Sequence, residues 1–321
     1  MNKIDVKTGL LQQYKQSLKV IEAEETFDLI IYRPLAFLFV KATYRTKLTP
    51  NIVSCIAMAC GVFSGVMFGY GVHHYLLIGA IFYFLCNILD CADGMIARLK
   101  HNGTKVGRIV DGFLDYVVST AVYAGFGAGL THLYSSQHDI LWGNFLDINP
   151  YLYVWFLALL AGLSSAYQAF YFDYYRNLFL EFAYGRVSSL EEEIKEFEDE
   201  KERLINDKQK SHIVNRILIA VYLRYCNMQL KIQARKRENP DWAKPVSADY
   251  YSKNKYLLRF WGFIGSTTHI TICVACVLAD RMELFLWICI LPLNILLLLL
   301  YFIQTRVNNR LIFHSNPPKG E

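Results

Sequence analysis

Residues 74–97 read HYLLIGAIFYFLCNILDCADGMIA, an apolar run that carries two aspartates near its end. A helix needs about 20 mostly apolar residues to cross a bilayer. This run reaches nearly that length before Asp90 and Asp93 interrupt it. It therefore predicts a transmembrane helix with carboxylates close to one end, and carboxylates are rare within membrane spans because the bilayer makes them costly.

Five further runs of the same kind lie on either side of it in the chain. They are residues 51–70, 109–130, 151–174, 260–279 and 284–303. The composition agrees, because the 321 residues are 54% hydrophobic and only 19% charged. This composition excludes an intrinsically disordered chain, and soluble core helices rarely give six runs of membrane length. The sequence predicts an all-α integral membrane protein with six transmembrane helices.

The Lys and Arg residues predict how these helices are oriented. Of the 33 such residues, all but Arg281 fall in segments that six spans place on one side. Because cytosolic segments are enriched in Lys and Arg, both termini are expected in the cytosol. Topology and contact with anionic lipid headgroups then explain the net charge of +5, which requires no nucleic acid.

The chain divides into five predicted parts. They are cytosolic and interfacial N-terminal helices (1–47), spans one to four (48–174), a long cytosolic helical insertion (175–255), spans five and six (256–305), and a cytosolic tail (306–321). Residues 27–44 are apolar but interrupted by charges, which indicates a helix lying in the interface. The insertion shows two amphipathic patterns, over 190–207 and 211–236. The first is either a solvated helix or one that pairs with a partner helix.

Four aspartates lie around the turn between the second and third spans: Asp90, Asp93, Asp111 and Asp115. At about 100° per residue, the first two share one helix face, and the last two share one face of the next helix. Spans joined by a short turn are antiparallel neighbours, so the two pairs are expected to converge. Four uncompensated carboxylates would repel and take up protons. The pattern therefore predicts hard divalent cations, and two ions would balance four charges.

Small and basic residues accompany the aspartates. Gly94, Ala97 and Gly107 keep the shared face free of bulky side chains, so that a ligand can approach the backbone. Arg98 is placed to meet a phosphate at the cytosolic end. Close packing between spans explains the glycines equally well but does not explain the aspartates. An ion or proton relay in a transporter is the alternative from another functional class.

The complete pattern is Asp90-x2-Asp93-Gly94-x2-Ala97-Arg98-x8-Gly107-x3-Asp111-x3-Asp115. At every fixed position it resembles the signature of the CDP-alcohol phosphotransferase (CDP-alcohol phosphatidyltransferase) family. Residues 48–51, LTPN, also resemble the usual start of that family's first span. The resemblance does not clearly extend to residues 175–255.

The resemblance implies a role for each matching residue. The implied metal ligands are Asp90, Asp93, Asp111 and Asp115, holding two Mg²⁺ or Mn²⁺ ions, and Asp115 is also the implied general base. The implied CDP-binding residues are Gly94, Ala97, Arg98 and Gly107. The implied reaction moves a phosphatidyl group from CDP-diacylglycerol to a small cytosolic alcohol and releases CMP. Inositol, inositol phosphate, serine and glycerol phosphate are the acceptors considered.

The second substrate and the partners are less sharply defined by the sequence. Candidate residues for an acceptor pocket are Lys105, Gln168, Arg176 and His269, for which helix contacts or topology signals are the competing interpretation. A transferase using CDP-ethanolamine or CDP-choline with diacylglycerol or a ceramide is the alternative within the family. We expect a CDP-linked donor, an alcohol acceptor and the lipid bilayer of an inner or equivalent membrane as partners. The resemblance also favours a homodimer.

Overall fold

The computed structural model describes three parts of the chain. They are residues 10–184 apart from 19, 45, 101–104 and 137–148, short helical pieces between 194 and 227, and residues 247–315. Most residues in these ranges are helical, and the ranges contain no strand. The predicted all-α fold is confirmed.

The described ranges contain ten helices of eight or more residues. They are α1 (Leu10–Ser17), α2 (Arg33–Thr43), α3 (Pro50–Gly69), α4 (His73–Lys100), α5 (Lys105–Ser136), α6 (Pro150–Tyr184), α7 (Ser247–Trp261), α8 (Ser266–Leu278), α9 (Met282–Ile290) and α10 (Pro292–Ser315). Shorter 3₁₀ turns occupy Ile21–Ala23 and Gly262–Ile264, and a π-helical turn occupies Asp28–Tyr32.

Within the described ranges, five helical segments are long and apolar enough to cross a membrane. They are Pro50–Gly69, His73–Lys100, Asp111–Tyr134, Pro150–Tyr184 and Met282–Asn309, the last of which joins α9 to α10. A bent pair, Asp249–Ile264 with Ser266–Leu278, also passes the test when taken as one broken span. By length and composition, the described chain therefore has five candidate spans, or six with the bent pair, which agrees with the predicted integral membrane fold.

The predicted fifth span, 260–279, is not one straight helix. α7 ends at Trp261, and α8 begins after Gly265, whose backbone is extended with φ −78° and ψ 167°. The two segments meet at an angle of 43°. A β-carbon on Gly265 would collide with the carboxyl group of Glu25, so the glycine makes room for a side chain from the N-terminal region.

The Glu25 carboxyl group caps the first turn of α8. Its Oε1 accepts a hydrogen bond from the backbone N–H of Thr267 (3.3 Å), and its Oε2 accepts one from that of Thr268 (3.1 Å). These donors have no partner inside the helix. Burial and the neighbouring Asp28 raise the pKa of Glu25 to about 8, against the opposing effect of the two N–H donors.

Glycines allow α3 and α5 to pack with their backbones in contact. A β-carbon on Gly65 would collide with the carbonyl group of Ala121, and one on Gly125 would collide with the carbonyl group of Gly65. Such small residues are typical of close helix pairs in membranes. This crossing fixes α5, and therefore the start of the third span, against α3.

The predicted interfacial segment packs against α4. Tyr32, Ala36 and Val40 are buried in a cluster that includes Ala92 and Met95 of α4. The opposite side carries exposed apolar residues, among them Ile30 and Leu38. This two-sided pattern agrees with a helix that lies along the protein and faces lipid with its other side.

Charged residues at the start of this segment are buried with their partners. The Arg33 Nη2 atom lies 2.5 Å from Oε2 of Glu24, and Nε lies 3.6 Å from Oδ2 of Asp28. Oδ1 of Asp28 accepts a hydrogen bond from the hydroxyl of Thr267 (3.1 Å). These contacts join the N-terminal region to α8, and the sequence analysis did not foresee them.

In the insertion, the described pieces of the two predicted amphipathic patterns contact each other. The rings of Phe197 and Tyr222 lie 4.9 Å apart in an edge-to-face arrangement. Ile194, Ile219 and Leu223 are buried as well. The first pattern therefore packs against the second, and most of the other residues of 190–236 lie outside the described ranges.

The crossing of α3 and α5 predicts a strong effect of Gly65→Ala. The added β-carbon meets backbone atoms that cannot move aside, so the overpacking should cost about 1–3 kcal/mol. Thermal unfolding in detergent should show a lower Tm. Gly112→Ala is the control, because no atom lies within 4 Å of its β-carbon position, and its Tm should not fall. Equal Tm values for Gly65→Ala and the unsubstituted protein would contradict the packing.

The raised pKa of Glu25 predicts a pH effect on stability. The folded value of about 8 exceeds the ordinary value of 4.5, so between them the folded chain holds a proton that the unfolded chain lacks. Stability should therefore decrease as pH rises through this interval. The Tm of the unsubstituted protein should fall relative to that of Glu25→Gln, which does not titrate. A Tm difference that stays constant from acidic to alkaline pH would count against this assignment.

Candidate active site

The structure brings Asp90 and Asp93 of α4 together with Asp111 of α5. One carboxylate oxygen from each lies within 4.8 Å of one from each of the other two. Asp93 is buried, and the other two side chains are half-buried. We call these three residues the carboxylate cluster. Its formation agrees with the helical spacing, which placed both pairs of aspartates at facing helix ends.

Asp115 lies one turn further along α5, outside the carboxylate cluster. Its side chain is exposed. It remains within electrostatic reach of Asp90, Asp93 and Asp111. The structure thus separates three grouped carboxylates from a fourth that is open to an approaching molecule.

A serine of α3 contacts the cluster, and the sequence analysis missed it. The hydroxyl of Ser54 lies 2.5 Å from Oδ2 of Asp93. The only sequence signal is its position four residues after Pro50, one turn into the first span. Serine is common in spans as a packing residue, so nothing in the sequence distinguished this one.

Arg98 is anchored by the N-terminal helix. Its Nε donates to the backbone carbonyl of Ser17 at the end of α1 (2.7 Å). Its terminal nitrogens lie 3.4 and 3.7 Å from the β-carbon position of Gly94. The guanidinium group therefore lies over the glycine, on the helix that also carries Asp90 and Asp93.

The other predicted CDP-binding residues are located less fully. Ala97 is half-buried near the end of α4. Gly107 and Lys105 belong to the first turn of α5, but their side-chain surroundings lie outside the described residues. No β-carbon contact closer than 3.4 Å requires a glycine at position 94. Packing within the protein therefore does not explain why position 94 is a glycine.

Gln168 and His269, two of the candidates for the acceptor pocket, contact each other. The Nε2 atom of His269 lies 2.7 Å from Oε1 of Gln168. The Gln168 amide nitrogen donates to the carbonyl of Cys289 (2.9 Å) and to Oδ1 of Asn294 (2.8 Å). Both side chains are buried. Their hydrogen-bonding groups are engaged within the protein, which supports a contact between α6, α8, α9 and α10 over one with substrate.

Arg176 of α6 has a more open position. Its guanidinium group forms an ion pair with Asp173 (2.8 Å), and both side chains are about one-third exposed, at 34% and 39%. Asp173 is within electrostatic reach of Asp115. Arg176 is in turn one of the charges that act on Glu25. Arg176 is thus a partly exposed cation whose ion-pair partner, Asp173, acts electrostatically on Asp115.

The donor atoms of the cluster fit a hard divalent cation. Carboxylate oxygens are the ligands that Mg²⁺ and Mn²⁺ prefer. Oxygens that coordinate one Mg²⁺ ion from opposite sides, each at about 2.0–2.1 Å, lie about 4.2 Å apart. The three aspartate oxygens lie within 4.8 Å of one another, so a small movement of the side chains brings them to that spacing.

This fit predicts opposite effects of Asp111→Asn with and without cation. Without divalent cation, removing one of three crowded negative charges should raise the Tm above that of the unsubstituted protein. With Mn²⁺, the unsubstituted protein should gain stability and the variant should gain little. Asp249→Asn, which alters an exposed ion pair with Lys253, is the control and should preserve the Mn²⁺ effect. The same Mn²⁺-induced Tm increase in Asp111→Asn would contradict cation binding by the cluster.

Comparisons with known proteins point to the same segment. Residues 47–170 match the family model of CDP-alcohol phosphatidyltransferases. This segment contains all four aspartates, Ser54 and Arg98.

Curated relatives align over similar lengths. A bifunctional IPC transferase and DIPP synthase of Thermococcus kodakarensis is 28% identical over 45% of this chain and 28% of its own length. Phosphatidylinositol phosphate synthases of Mycobacteroides abscessus and Mycolicibacterium smegmatis are 33% and 34% identical, over 35% and 29% of this chain. The matches span 50% and 39% of those two proteins, so the chain matches half or less of each relative. Residues 47–170 are therefore the part of the chain that is similar to CDP-alcohol phosphatidyltransferases.

Proposed function

We propose that the protein transfers a phosphatidyl group from CDP-diacylglycerol to a small alcohol and releases CMP. The observation that carries this proposal is the carboxylate cluster beside an exposed Asp115, inside the segment that matches the family. The proposed cofactors are two Mg²⁺ or Mn²⁺ ions. When bound, such ions offset the negative charge of the donor's diphosphate and of the departing CMP.

The protein's own residues would hold the donor. Asp90, Asp93 and Asp111 provide oxygen ligands for the cations, and Asp115 is close enough to contribute charge. Arg98 is held through Nε, so its terminal nitrogens are directed along the Gly94 face, where a phosphate can be met. The missing side chain at Gly94 leaves room for the nucleotide.

Asp115 is suited to act as the general base. In the proposed step the acceptor's hydroxyl oxygen attacks the phosphorus atom that carries the diacylglycerol. The P–O bond to CMP breaks, and the hydroxyl proton passes to Asp115. An alcohol is a weak nucleophile and needs this proton removed as it attacks. The exposure of Asp115 supports direct access by the acceptor.

A phosphorylated inositol is the acceptor class that we favour. The two mycobacterial relatives are named phosphatidylinositol phosphate synthases. Arg176 is a partly exposed cation paired with Asp173, which acts electrostatically on Asp115, and it can attract an acceptor phosphate. Gln168 and His269 are better explained as the contact between helices described above. No observation favours the lipid-alcohol acceptors or the ion-coupled transporter.

The proposal places the site and both termini in the cytosol. The Lys and Arg distribution supports this orientation. A soluble acceptor would then reach the site from water, and the lipid donor would enter from the bilayer. The homodimer stays a prediction from the family resemblance.

The base assignment predicts that Asp115→Asn loses activity while keeping its fold. CMP release from CDP-diacylglycerol and inositol phosphate should fall about 10²- to 10⁴-fold, the usual contribution of general base catalysis. The variant should still unfold cooperatively and gain Tm with Mn²⁺. Asp249→Asn should retain full CMP release. Retained activity in Asp115→Asn would refute the base assignment, and no CMP release by the unsubstituted protein would refute the proposed reaction.

The acceptor assignment predicts a selective effect of Arg176→Gln. A lost hydrogen bond to a charged group costs about 1.5–3 kcal/mol, which corresponds to roughly a 10- to 100-fold rise in KM for inositol phosphate. The KM for unphosphorylated inositol, where it is accepted, should change little. Arg259→Gln, which removes an exposed cation from α7, is the control. An unchanged KM for inositol phosphate would exclude Arg176 from the acceptor site.

A further inference from the structure

The Ser54 side chain of α3 contacts the carboxylate cluster through Asp93. It is buried, at 9% exposure, and so is Asp93, at 5%. The Ser54 hydroxyl oxygen lies 2.5 Å from Oδ2 of Asp93 and 3.2 Å from the carbonyl oxygen of Pro50. Two acceptors therefore compete for a single hydroxyl hydrogen.

When Asp93 is ionised, the Ser54 hydroxyl donates its hydrogen bond to Asp93 rather than to the Pro50 carbonyl. A carboxylate forms shorter and stronger hydrogen bonds than a neutral carbonyl, and here it is also the nearer acceptor. One Asp93 oxygen is then held by the protein. Rotation of the carboxylate is restricted, and the ligand geometry is set before any cation arrives.

Hydrogen bonds at the start of α3 and at the end of α4 hold the two helices that carry this contact. The Thr49 hydroxyl caps α3 by accepting from the N–H of Ile52 (3.4 Å). The Lys100 ammonium group, at the end of α4, donates to the backbone carbonyls of Leu48 (2.8 Å) and Thr46 (3.1 Å). The start of α3 is thus tied to the end of α4. This tie keeps Ser54 of α3 beside Asp93 of α4.

We propose that Ser54 is a positioning residue that orients Asp93 as a cation ligand. The inference rests on the metal site of the proposed function, and it extends the site to the first span. Hydrogen-bond partners of metal ligands typically contribute 10- to 100-fold to metal affinity. Ser54 should contribute a factor of this size without touching cation or substrate.

α3 supplies its own matched control. Ser64 is fully buried on the same helix, and its hydroxyl has no hydrogen-bond partner within the described structure. Ser64→Ala and Ser54→Ala remove the same atom from buried sites on one helix. They differ in whether that atom contacts a carboxylate of the cluster.

The test is Mn²⁺ binding to purified protein in detergent, followed by electron paramagnetic resonance of free Mn²⁺ without nucleotide or lipid donor. Ser54→Ala should raise the Mn²⁺ Kd about 10- to 100-fold. Ser54→Thr, which keeps the hydroxyl, and Ser64→Ala should stay near the unsubstituted value. An unchanged Kd for Ser54→Ala, or an equal loss in Ser64→Ala, overturns the proposal.

A second variant covers the case in which Ser54→Ala does not fold. Ser54→Cys fills the same space with a weaker donor, so its Mn²⁺ Kd should lie above that of the unsubstituted protein. If the Mn²⁺ Kd of Ser54→Cys equals that of the unsubstituted protein, the proposal is overturned.

The binding assay also separates this inference from the proposed reaction. Ser54-dependent Mn²⁺ binding without CMP release would refute the reaction and leave the positioning role standing. Absence of Mn²⁺ binding by the unsubstituted protein would overturn the positioning role together with the metal site.

Discussion

Repulsion among three carboxylates at the facing ends of two helices is the constraint on which this structure depends. Asp90, Asp93 and Asp111 present oxygens within 4.8 Å of one another, and such an arrangement is unfavourable unless charge is offset. The helices must therefore be held together by other contacts. The backbone contact of α3 with α5 at Gly65 and Gly125 does so on one side. The packing of the N-terminal segment on α4 does so on the other.

The N-terminal region has a larger role than its polar sequence indicates. Its Glu25 caps α8 at the break in the bent span, and the Ser17 carbonyl at the end of α1 holds Arg98 beside Gly94. One short segment therefore contacts both the helix that carries the motif and the fifth span. In the proposed function, this couples the position of the phosphate-binding arginine to the packing of the whole bundle.

Features that depend on spacing along the chain could be predicted from the sequence. Membrane-length runs predicted the spans, and the i, i+3 and i, i+4 spacings predicted that the aspartates of α4 and α5 converge. Features that depend on distant partners could not. The break in the fifth span at Gly265 depends on contact with Glu25, which lies about 240 residues earlier in the chain. The continuous apolar composition of residues 260–279 gave no sign of this break. Gln168 and Arg176 are both polar residues of α6, and the sequence does not distinguish their roles. Their contacts show that Gln168 belongs to a buried hydrogen-bond network, whereas Arg176 is a partly exposed cation.

The central claim is that α4 and α5 together hold divalent cations at the carboxylate cluster. Anomalous scattering from crystals of the protein grown with Mn²⁺ tests it most directly. The account predicts a Mn²⁺ peak about 2.0–2.6 Å from carboxylate oxygens of Asp90, Asp93 and Asp111. A structure at saturating Mn²⁺ with no peak there, or with peaks only elsewhere, would contradict it.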